Sequence, residues 1–451
     1  MIQLKNPVEE SFITVTVHYN RPLGPMKPMH AVNNGPLHSA PTQKRSNLEA
    51  YKAARIPYAR NHDASEWIDY GGEFAVDIYN LFPNFDADPE DPANYEFAVT
   101  DVYTANIHAA GTETFYRLGS RIEHQIKKYR TVMPKDFHKW AVICEHVIRH
   151  YTEGWADGFH YNIEYWEIWN EPDLSADPDK PKCTWSGTPE EFYEFYATVA
   201  TYLKGKFPHL KIGGPAVARY DETWLNGFFD RLTRDDTPVP LDFFSWHCYG
   251  YNPRKMIEKA ASVRAKLDEY GYNKTESILN EWNYVKDWRD GWVDTVKTII
   301  SRKGAAYAAA CMCCGQNRPD VDMLMYYDAA PCSMNGLFDF YSWEPLKGYW
   351  ALYAFADVYE LGTCVEATWE DADLYVTAAT DGKGNSATLL CYYSDEENMP
   401  EKTVTVAFPD EAKTEVFSVD ASRDYEKAAE FQGNSATLTL QPNTFAVLKR
   451  S

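Results

Sequence analysis

Short apolar runs alternate with longer segments of helical periodicity from about residue 28 to residue 356. An apolar run of about four to eight residues is typical of a strand buried on both faces, as in a parallel sheet. These runs predict eight strands, over 28–33, 56–60, 113–118, 164–169, 211–214, 242–247, 276–281 and 322–327. Eight strand–helix units in succession predict a (β/α)8 barrel of the TIM type, in which helices surround a closed parallel sheet.

Two segments between these strands repeat apolar residues at steps of three and four. The segments are 135–151 and 190–204. This spacing places the apolar side chains on one face of a helix, so we predict an amphipathic helix over each segment.

The chain changes character from about residue 363, where runs rich in β-branched residues are separated by Gly, Asn and Pro. These runs predict strands over 374–380, 386–393, 402–408, 414–419 and 435–440. They are typical of an antiparallel β-sandwich, and the alternating segment 12–17 is expected to add a strand to it. We therefore predict a catalytic barrel over 21–356 and an accessory sandwich domain formed by 1–20 together with 357–451.

The charge balance narrows the choice of partner. Sixty-six acidic and 44 basic residues give a formal net charge of −22, and a field of that sign repels nucleic acid and anionic membranes. A neutral ligand is the easiest partner to reconcile with this field, and an aromatic content of 15% favours a ligand that stacks on flat rings. The first residues lack a cationic start followed by an apolar core, so we expect a cytoplasmic protein. The sequence leaves a homo-oligomer open.

Two segments resemble metal sites only superficially. Cys311, Cys313 and Cys314 lie in an Ala-rich helical run with no second Cys or His pair nearby, whereas a structural zinc needs four ligands. The Asp-rich segment 86–91 lacks the Gly and the terminal Glu of a helix–loop–helix calcium site, which favours a solvated insertion. We therefore expect neither a metal nor a cofactor.

Two carboxylates stand at the ends of predicted barrel strands. Glu171 follows the fourth strand and Glu281 ends the seventh, and in such barrels the catalytic residues lie at the carboxyl ends of the strands. Side chains at these two ends can point into one cleft. Cleavage of a glycosidic bond needs such a pair, one group to protonate the departing oxygen and one to attack carbon or activate water.

Four motifs resemble those of glycoside hydrolase family 39. They are YWEIWNEPDL over 165–174, IGGP over 212–215, DFFSWHCYG over 242–250 and ILNEWNY over 278–284. The resemblance covers nearly the whole chain and implies a retaining glycosidase with a (β/α)8 barrel joined to a β-sandwich. It implies that Glu171 is the acid/base, that Glu281 is the nucleophile, and that Asn170 donates a hydrogen bond to a sugar 2-hydroxyl.

The same resemblance implies further residues around the sugar. His247 and Tyr249 match positions that line the subsite and support the nucleophile. Arg60 and His62 match an Arg-x-His motif, in which the arginine lies near the nucleophile and keeps it ionised. Tyr327, at the end of the eighth strand, matches the position of an aromatic floor.

The chain departs from the β-xylosidase pattern at two places that contribute to the sugar pocket. Arg117 stands where those enzymes have a glutamate after the third strand, and the segment HAVNNGPLH over 30–38 differs from their His-rich motif. If Arg117 lines the pocket, a cation in place of an acid changes which sugar is accepted. The resemblance therefore does not carry β-xylosidase activity over to this chain.

These observations predict a retaining glycosidase that acts by double displacement on short plant-type oligosaccharides. We expect it to remove terminal pentose units, either β-D-xylosides or α-L-arabinosides. A transglycosylase would use the same catalytic pair and remains an alternative. A non-catalytic carbohydrate-binding protein is the third reading, although such a protein would be expected to have lost one of the two carboxylates.

Overall fold

The computed structural model describes residues 13–37, 45–62, 75–123, 126–175 and 182–451. Residues 1–12 of the predicted sandwich segment and His38 of the 30–38 motif lie outside them. The strands are β1 Ile13–Pro25, β2 Ala31–Asn33, β3 Tyr58–Arg60, β4 Glu113–Leu118, β5 Tyr165–Ile168, β6 Lys211–Val217, β7 Phe243–His247, β8 Glu276–Trp282, β9 Met323–Tyr326, β10 Thr363–Thr368, β11 Leu374–Thr380, β12 Ser386–Tyr392, β13 Lys402–Val419, β14 Asp424–Leu440 and β15 Thr444–Arg450. The helices are α1 Leu48–Ala54, α2 Ile78–Leu81, α3 Ala98–Ala109, α4 Phe137–Thr152, α5 Pro189–Lys206, α6 Glu222–Leu232, α7 Pro253–Glu269, α8 Trp292–Ile299, α9 Arg302–Gln316 and α10 Lys347–Tyr359.

Strands β2 to β9 form a closed barrel in sequence order, and every pairing in it is parallel. All eight predicted barrel strands are confirmed, because each one is buried on both faces and therefore reads as a continuous apolar run. Successive side chains alternate between the interior and the helix layer. The interior at the amino-terminal end is filled by a separate apolar cluster of Ala31, Phe115, Tyr165, Phe243, Ile278, Met323 and Met325.

The two amphipathic helices predicted from periodicity are confirmed as α4 and α5. Helix α5 begins at a capping box, in which the Thr188 side chain accepts from the Glu191 backbone N–H and the Glu191 side chain accepts from that of Thr188. This reciprocal pair satisfies amide groups that the first turn leaves without partners. The cap therefore determines where α5 starts.

The remaining strands form a seven-stranded sheet in the order β1-β10-β11-β12-β15-β13-β14, and β1 also pairs with β13. The prediction that the amino-terminal segment joins the C-terminal sheet is confirmed for its described residues. Strand β1 runs antiparallel to β10 but parallel to β13, so the sheet is mixed at this one pairing. One face packs on its own core, which includes Val15, Val376 and Leu448.

The other face of this sheet packs against the barrel. Leu389 of β12 and Val447 of β15 belong to the same buried apolar cluster as the helices of the barrel, including α9 and α10. Cys311 and Cys313 are buried in α9, while Cys314 is partly exposed. The division at residues 20/21 and 356/357 stays a proposal, and α10 spans the second of these boundaries.

None of the helices in the described ranges has both the length and the apolar character that a membrane crossing requires.

Candidate active site

Glu171 and Glu281 converge at the carboxyl end of the barrel. Glu171 lies three residues beyond the end of β5, and Glu281 is the second-last residue of β8. A carboxylate oxygen of Glu171, a ring nitrogen of His247 and a carboxylate oxygen of Glu281 all lie within 4.8 Å of one another. Both glutamates are buried, with 7% and 5% of their surfaces exposed. Barrel closure thus brings together two acidic groups that are 110 residues apart in the chain.

The backbone at Glu171 adopts a conformation that L-residues rarely take. Trp169 has φ +74° and Glu171 has φ +49°, both in the left-handed region, which is costly outside glycine. The Glu171 N–H donates to the Ala216 carbonyl at 2.9 Å, and the Trp169 N–H donates to the Leu118 carbonyl at 2.9 Å. A Cβ on Gly119 would lie 2.7 Å from the Trp169 Cα. Neighbouring strands therefore fix the direction in which the Glu171 side chain leaves the backbone.

Glu281 is held by hydrogen-bond donors on both of its oxygens. Arg60 Nη1 donates to Oε1 at 2.8 Å, and the Tyr249 hydroxyl donates to Oε2 at 2.7 Å. His62 Nε2 lies 3.6 Å from Oε1. Burial raises the pKa of Glu281 above its ordinary value, whereas His247, Arg60 and Tyr249 act in the opposite direction. The donors thus stabilise the ionised form that burial alone would disfavour.

Arg60 connects Glu281 to the barrel interior and to Asn170, the residue before Glu171. Its Nε donates to Glu167 at 2.7 Å, and its Nη2 donates to the Asn170 side-chain oxygen at 2.7 Å. The Asn33 side-chain oxygen accepts from Nη1 at 3.0 Å. Within the described part of the chain, the buried Nδ2 of Asn170 has no hydrogen-bond partner. This donor, next to Glu171 in the chain, is therefore available for a substrate oxygen.

Glu171 shares a hydrogen bond with His247. Nδ1 of His247 lies 2.7 Å from Glu171 Oε1 and 3.4 Å from Glu281 Oε2, so the imidazole contacts both carboxylates. Burial lowers the pKa of His247 to about 4, which leaves the ring neutral at neutral pH. An uncharged ring consequently bridges the two carboxylates, and the Arg60 cation contacts Glu281.

A second buried carboxyl group lies beside Glu171. Burial raises the pKa of Asp173 to about 7, and the charge of Glu171 acts in the same direction. Asp173 accepts from the backbone N–H groups of Ala218 at 2.8 Å and Arg219 at 3.1 Å. These bonds hold the segment after β6 beside Glu171.

The two glutamates open into a cleft of about 910 Å³. Besides the two glutamates, four of the residues predicted from sequence line it, namely His62, His247, Tyr249 and Tyr327. The Tyr327 ring lies 6.3 Å from the His62 ring and 6.4 Å from the Tyr249 ring, measured between centroids. Arg60 and Asn170 lie beneath the lining and contact each other, as described above.

The structure does not bring Arg117 to the described lining of the cleft. The side chain is fully buried and donates through Nη2 to Asp77 at 2.8 Å and to the His62 carbonyl at 2.6 Å. Arg117 therefore contacts His62, one of the described lining residues, at its backbone carbonyl.

Several residues of the site were not predicted. Glu167 faces inward on β5, two residues after the inward-facing Tyr165, so strand alternation could have identified it. Asn280 donates to Glu167 at 2.6 Å and precedes Glu281 as Asn170 precedes Glu171. Trp288 and Trp292 also line the cleft, with their rings stacked at 5.4 Å. These two come from the segment after β8, where no periodic pattern pointed to them.

Glu171, His247 and Glu281 also form the single group, among the residues that the structure describes, with a spacing suited to a metal ion. Arg60 already supplies a cation to Glu281 at 2.8 Å, and Nδ1 of His247 is bonded to Glu171. A metal ion would have to compete with both contacts. The arrangement is better suited to proton transfer at one carboxylate and attack by the other.

Comparison with known proteins is consistent with this geometry. The model of the family "Glycosyl hydrolases family 39" matches residues 13–311. A β-xylosidase from Caldicellulosiruptor saccharolyticus is 25% identical over 316 residues, which cover 63% of this chain and 60% of that protein. The structure of a glucosidase from Croceicoccus marinus matches with a TM-score of 0.77 at 23% identity, covering 98% of this chain and 99% of that one. The structure of a monomeric β-xylosidase from Caulobacter crescentus matches with a TM-score of 0.70 at 16% identity, covering 97% and 99%.

Proposed function

The chain belongs to glycosyl hydrolases family 39, and on this basis we propose that it cleaves a glycosidic bond with retention of anomeric configuration. The observation that carries the proposal is the approach of Glu171 and Glu281, which have carboxylate oxygens within 4.8 Å of one another. Retaining glycosidases hold their two carboxyl groups about 5–5.5 Å apart, whereas inverting enzymes leave room for a water molecule between them. The distance therefore supports direct attack by a carboxylate.

The surroundings of the two glutamates support different roles. We assign Glu281 as the nucleophile, because Arg60 and Tyr249 donate to its oxygens and favour the ionised form. We assign Glu171 as the acid/base, because the neutral His247 contacts one of its oxygens and the carboxyl groups of Asp173 and Glu281 lie nearby. A carboxyl group in such a setting keeps its proton more readily.

The reaction then follows two displacements. Glu281 attacks the anomeric carbon while Glu171 gives its proton to the departing oxygen, which leaves a glycosyl group on Glu281. In the second step Glu171 takes a proton from water, and the resulting hydroxide displaces Glu281 from the same carbon. Each step inverts the configuration, so the product retains that of the substrate. We assign Nδ2 of Asn170 as the donor to the sugar 2-hydroxyl, because it is buried and lacks a partner among the described residues.

We propose terminal pentose units as the sugars removed, either β-D-xylosides or α-L-arabinosides, from short oligosaccharides or related glycosides. The support is the similarity to the β-xylosidase of C. saccharolyticus. The aligned region spans 60% of the length of that relative. The glycone is therefore the part of the proposal that most needs a direct measurement.

A screen of nitrophenyl glycosides tests the proposal in two steps. The first identifies the sugar among xylose, arabinose in both ring forms, galactose, glucose and uronic acids. The second follows the best substrate by NMR in its first minutes, when the anomer released should be that of the substrate. A chelator should leave the rate unchanged. Release of the opposite anomer would disprove the assignment of Glu281 as nucleophile.

A further inference from the structure

The cleft extends well beyond the space that one sugar ring needs. Its volume of about 910 Å³ is near the upper end of ligand-binding pockets, which run from about 300 to 1,000 Å³. Part of this volume does not lie above the two glutamates. It continues past the ends of β6 and β7 toward helices α6 and α7, because Leu225 of α6 and Val263 of α7 both line it.

This extension lies on the side of Glu171. Asp173 binds the backbone of Ala218 and Arg219, and the Glu171 N–H donates to Ala216, so the segment after β6 is tied directly to the acid/base. In the proposed reaction Glu171 protonates the departing oxygen, and the leaving group must therefore lie on its side. The extension is accordingly placed to receive the leaving group rather than the sugar that becomes bound to Glu281.

The deep walls of this extension are apolar. They are formed by Val217, Leu225, Phe244, Trp246 and Val263, each at most 4% exposed. The Trp246 indole N–H donates to the Ser277 hydroxyl at 3.1 Å, which leaves only carbon atoms of this ring for a ligand. The polar side chains on this side, Arg219, Tyr220, Lys259 and Ser262, are exposed and therefore lie toward solvent.

Such walls do not suit a second sugar ring. Each buried hydroxyl needs a hydrogen-bond partner, and a hydroxyl left without one costs about 1–3 kcal/mol. Apart from Glu171 and Glu281, no carboxylate occurs among the described residues that line the cleft, although the protein as a whole carries a net charge of −22. The chemistry of the extension therefore matches a hydrocarbon-rich group.

We propose that the pocket bounded by β6, β7, α6 and α7 is a leaving-group subsite for an apolar aglycone. The inference rests on the proposed glycosidase function and specifies the leaving group of its substrate. The enzyme would cleave glycosides of aliphatic, alicyclic or aromatic alcohols, with the sugar over Glu281 and the apolar group against Val217, Phe244 and Val263. The exposed Arg219 and Lys259 would meet any polar substituent at the far end.

A series of alkyl glycosides tests the pocket without changing the chemistry. Methyl to octyl glycosides of the sugar found in the screen have leaving groups of nearly equal pKa, so differences report binding of the chain. Below the critical micelle concentration, kcat/KM should rise about fourfold for each methylene that becomes fully buried, until the pocket is filled.

Two variants fill the pocket. Val263→Phe places a larger side chain against its deep wall, and Ser262→Phe does so on the exposed edge of α7, where overpacking does not threaten the fold. Both should flatten the dependence of kcat/KM on chain length. The matched control is Ala261→Phe, which adds the same side chain to the neighbouring exposed residue outside the lining, and it should keep the dependence.

The outcomes separate this inference from the function on which it rests. A kcat/KM that does not change with alkyl chain length in the wild-type enzyme would overturn the pocket, as would a dependence on chain length that persists in both filled variants. In each of these cases, cleavage of nitrophenyl glycosides by the wild-type enzyme would still support the proposed function. Absence of cleavage of every glycoside, in contrast, would overturn the proposed function itself.

Discussion

Nη1 of Arg60 lies 2.8 Å from Oε1 of Glu281, and the guanidinium is completely buried. The same cation also donates to Glu167 at 2.7 Å, so one buried positive charge serves two buried carboxylates. Burial raises the pKa of Glu281, and Arg60 opposes that effect. Because Tyr249 and His62 carry no positive charge in their neutral forms, Arg60 is the group that compensates the charge of the proposed nucleophile.

Replacing Arg60 by Met should raise the pKa of Glu281 further and leave two carboxylates without their cation. We expect the acidic limb of kcat/KM against pH, measured on a nitrophenyl glycoside, to move to higher pH. The free energy of unfolding should fall by about 3–5 kcal/mol, the usual cost of removing one partner of a buried pair. Arg55→Met is the matched control, because Arg55 pairs with Asp357 outside the cleft. An unchanged pH profile in Arg60→Met would mean that Glu281 does not depend on this cation.

Arg117 should affect stability more than sugar preference. Arg117→Glu places a second carboxylate against the fully buried Asp77, so we expect the free energy of unfolding to fall by about 3–5 kcal/mol. The double variant Asp77→Arg/Arg117→Glu reverses the pair and should recover part of that loss. The ranking of nitrophenyl glycosides should stay the same in whatever folded enzyme remains. A changed ranking would place Arg117 in contact with the sugar.

His30 should make the protein less stable in mild acid. Its side chain is buried beside the Arg55 carbonyl, and burial lowers its pKa to about 3, compared with about 6.5 in the unfolded chain. The unfolded state therefore binds the extra proton first, and stability is lost as the pH falls from about 6.5 toward 3. This one group should cost about 2 kcal/mol between pH 7 and pH 5.

Urea unfolding of His30→Gln at pH 7 and pH 5 measures this contribution. The difference in unfolding free energy between the two pH values should shrink by that amount, whereas the surface variant His209→Gln should leave it unchanged. Equal pH dependence in the wild-type protein and His30→Gln would show that other groups account for the acid sensitivity.

The barrel could be predicted from sequence because its strands are buried on both faces. Runs such as 113–118 and 276–281 are apolar enough to be recognised without knowledge of their partners. Strands β10 and β15 were missed, since both depend on pairing partners in other parts of the chain. The predicted strands 402–408 and 414–419 are one strand, β13, which continues through a register shift between Ala407 and Ala412.

The site residues that could be predicted are those that stand at the ends of barrel strands. Glu171 and Glu281 were proposed because residues at the carboxyl ends of barrel strands face the cleft, and the structure brings the two side chains together there. Glu167 was missed, although strand alternation from Tyr165 puts it on the inward face of β5, where it pairs with Arg60. The apolar leaving-group pocket depends on how helices α6 and α7 pack against the barrel, and no local pattern encodes that distance.

The two glutamates should respond differently to the leaving group. Glu171 supplies a proton to the departing oxygen, so Glu171→Ala should nearly abolish cleavage of alkyl and sugar–sugar linkages, whose leaving groups are poor. The first step should be spared for dinitrophenyl glycosides, whose leaving groups depart unaided. General acid/base catalysis contributes about 10²–10⁴-fold, so the contrast between the two substrate types should be of that order. The variant should accumulate a glycosyl-enzyme that mass spectrometry detects.

Glu281→Ala lacks the attacking group, and no leaving group compensates for that loss. Added azide should occupy the space of the missing carboxylate and give a glycosyl azide of inverted configuration. In Glu171→Ala the same anion should intercept the glycosyl-enzyme and give an azide of retained configuration, because two displacements have then occurred. The configuration of the azide product, read by NMR, thus reports which glutamate is missing. Equal loss of activity on every leaving group, with rescue of neither variant, would show that the roles of Glu171 and Glu281 are assigned wrongly.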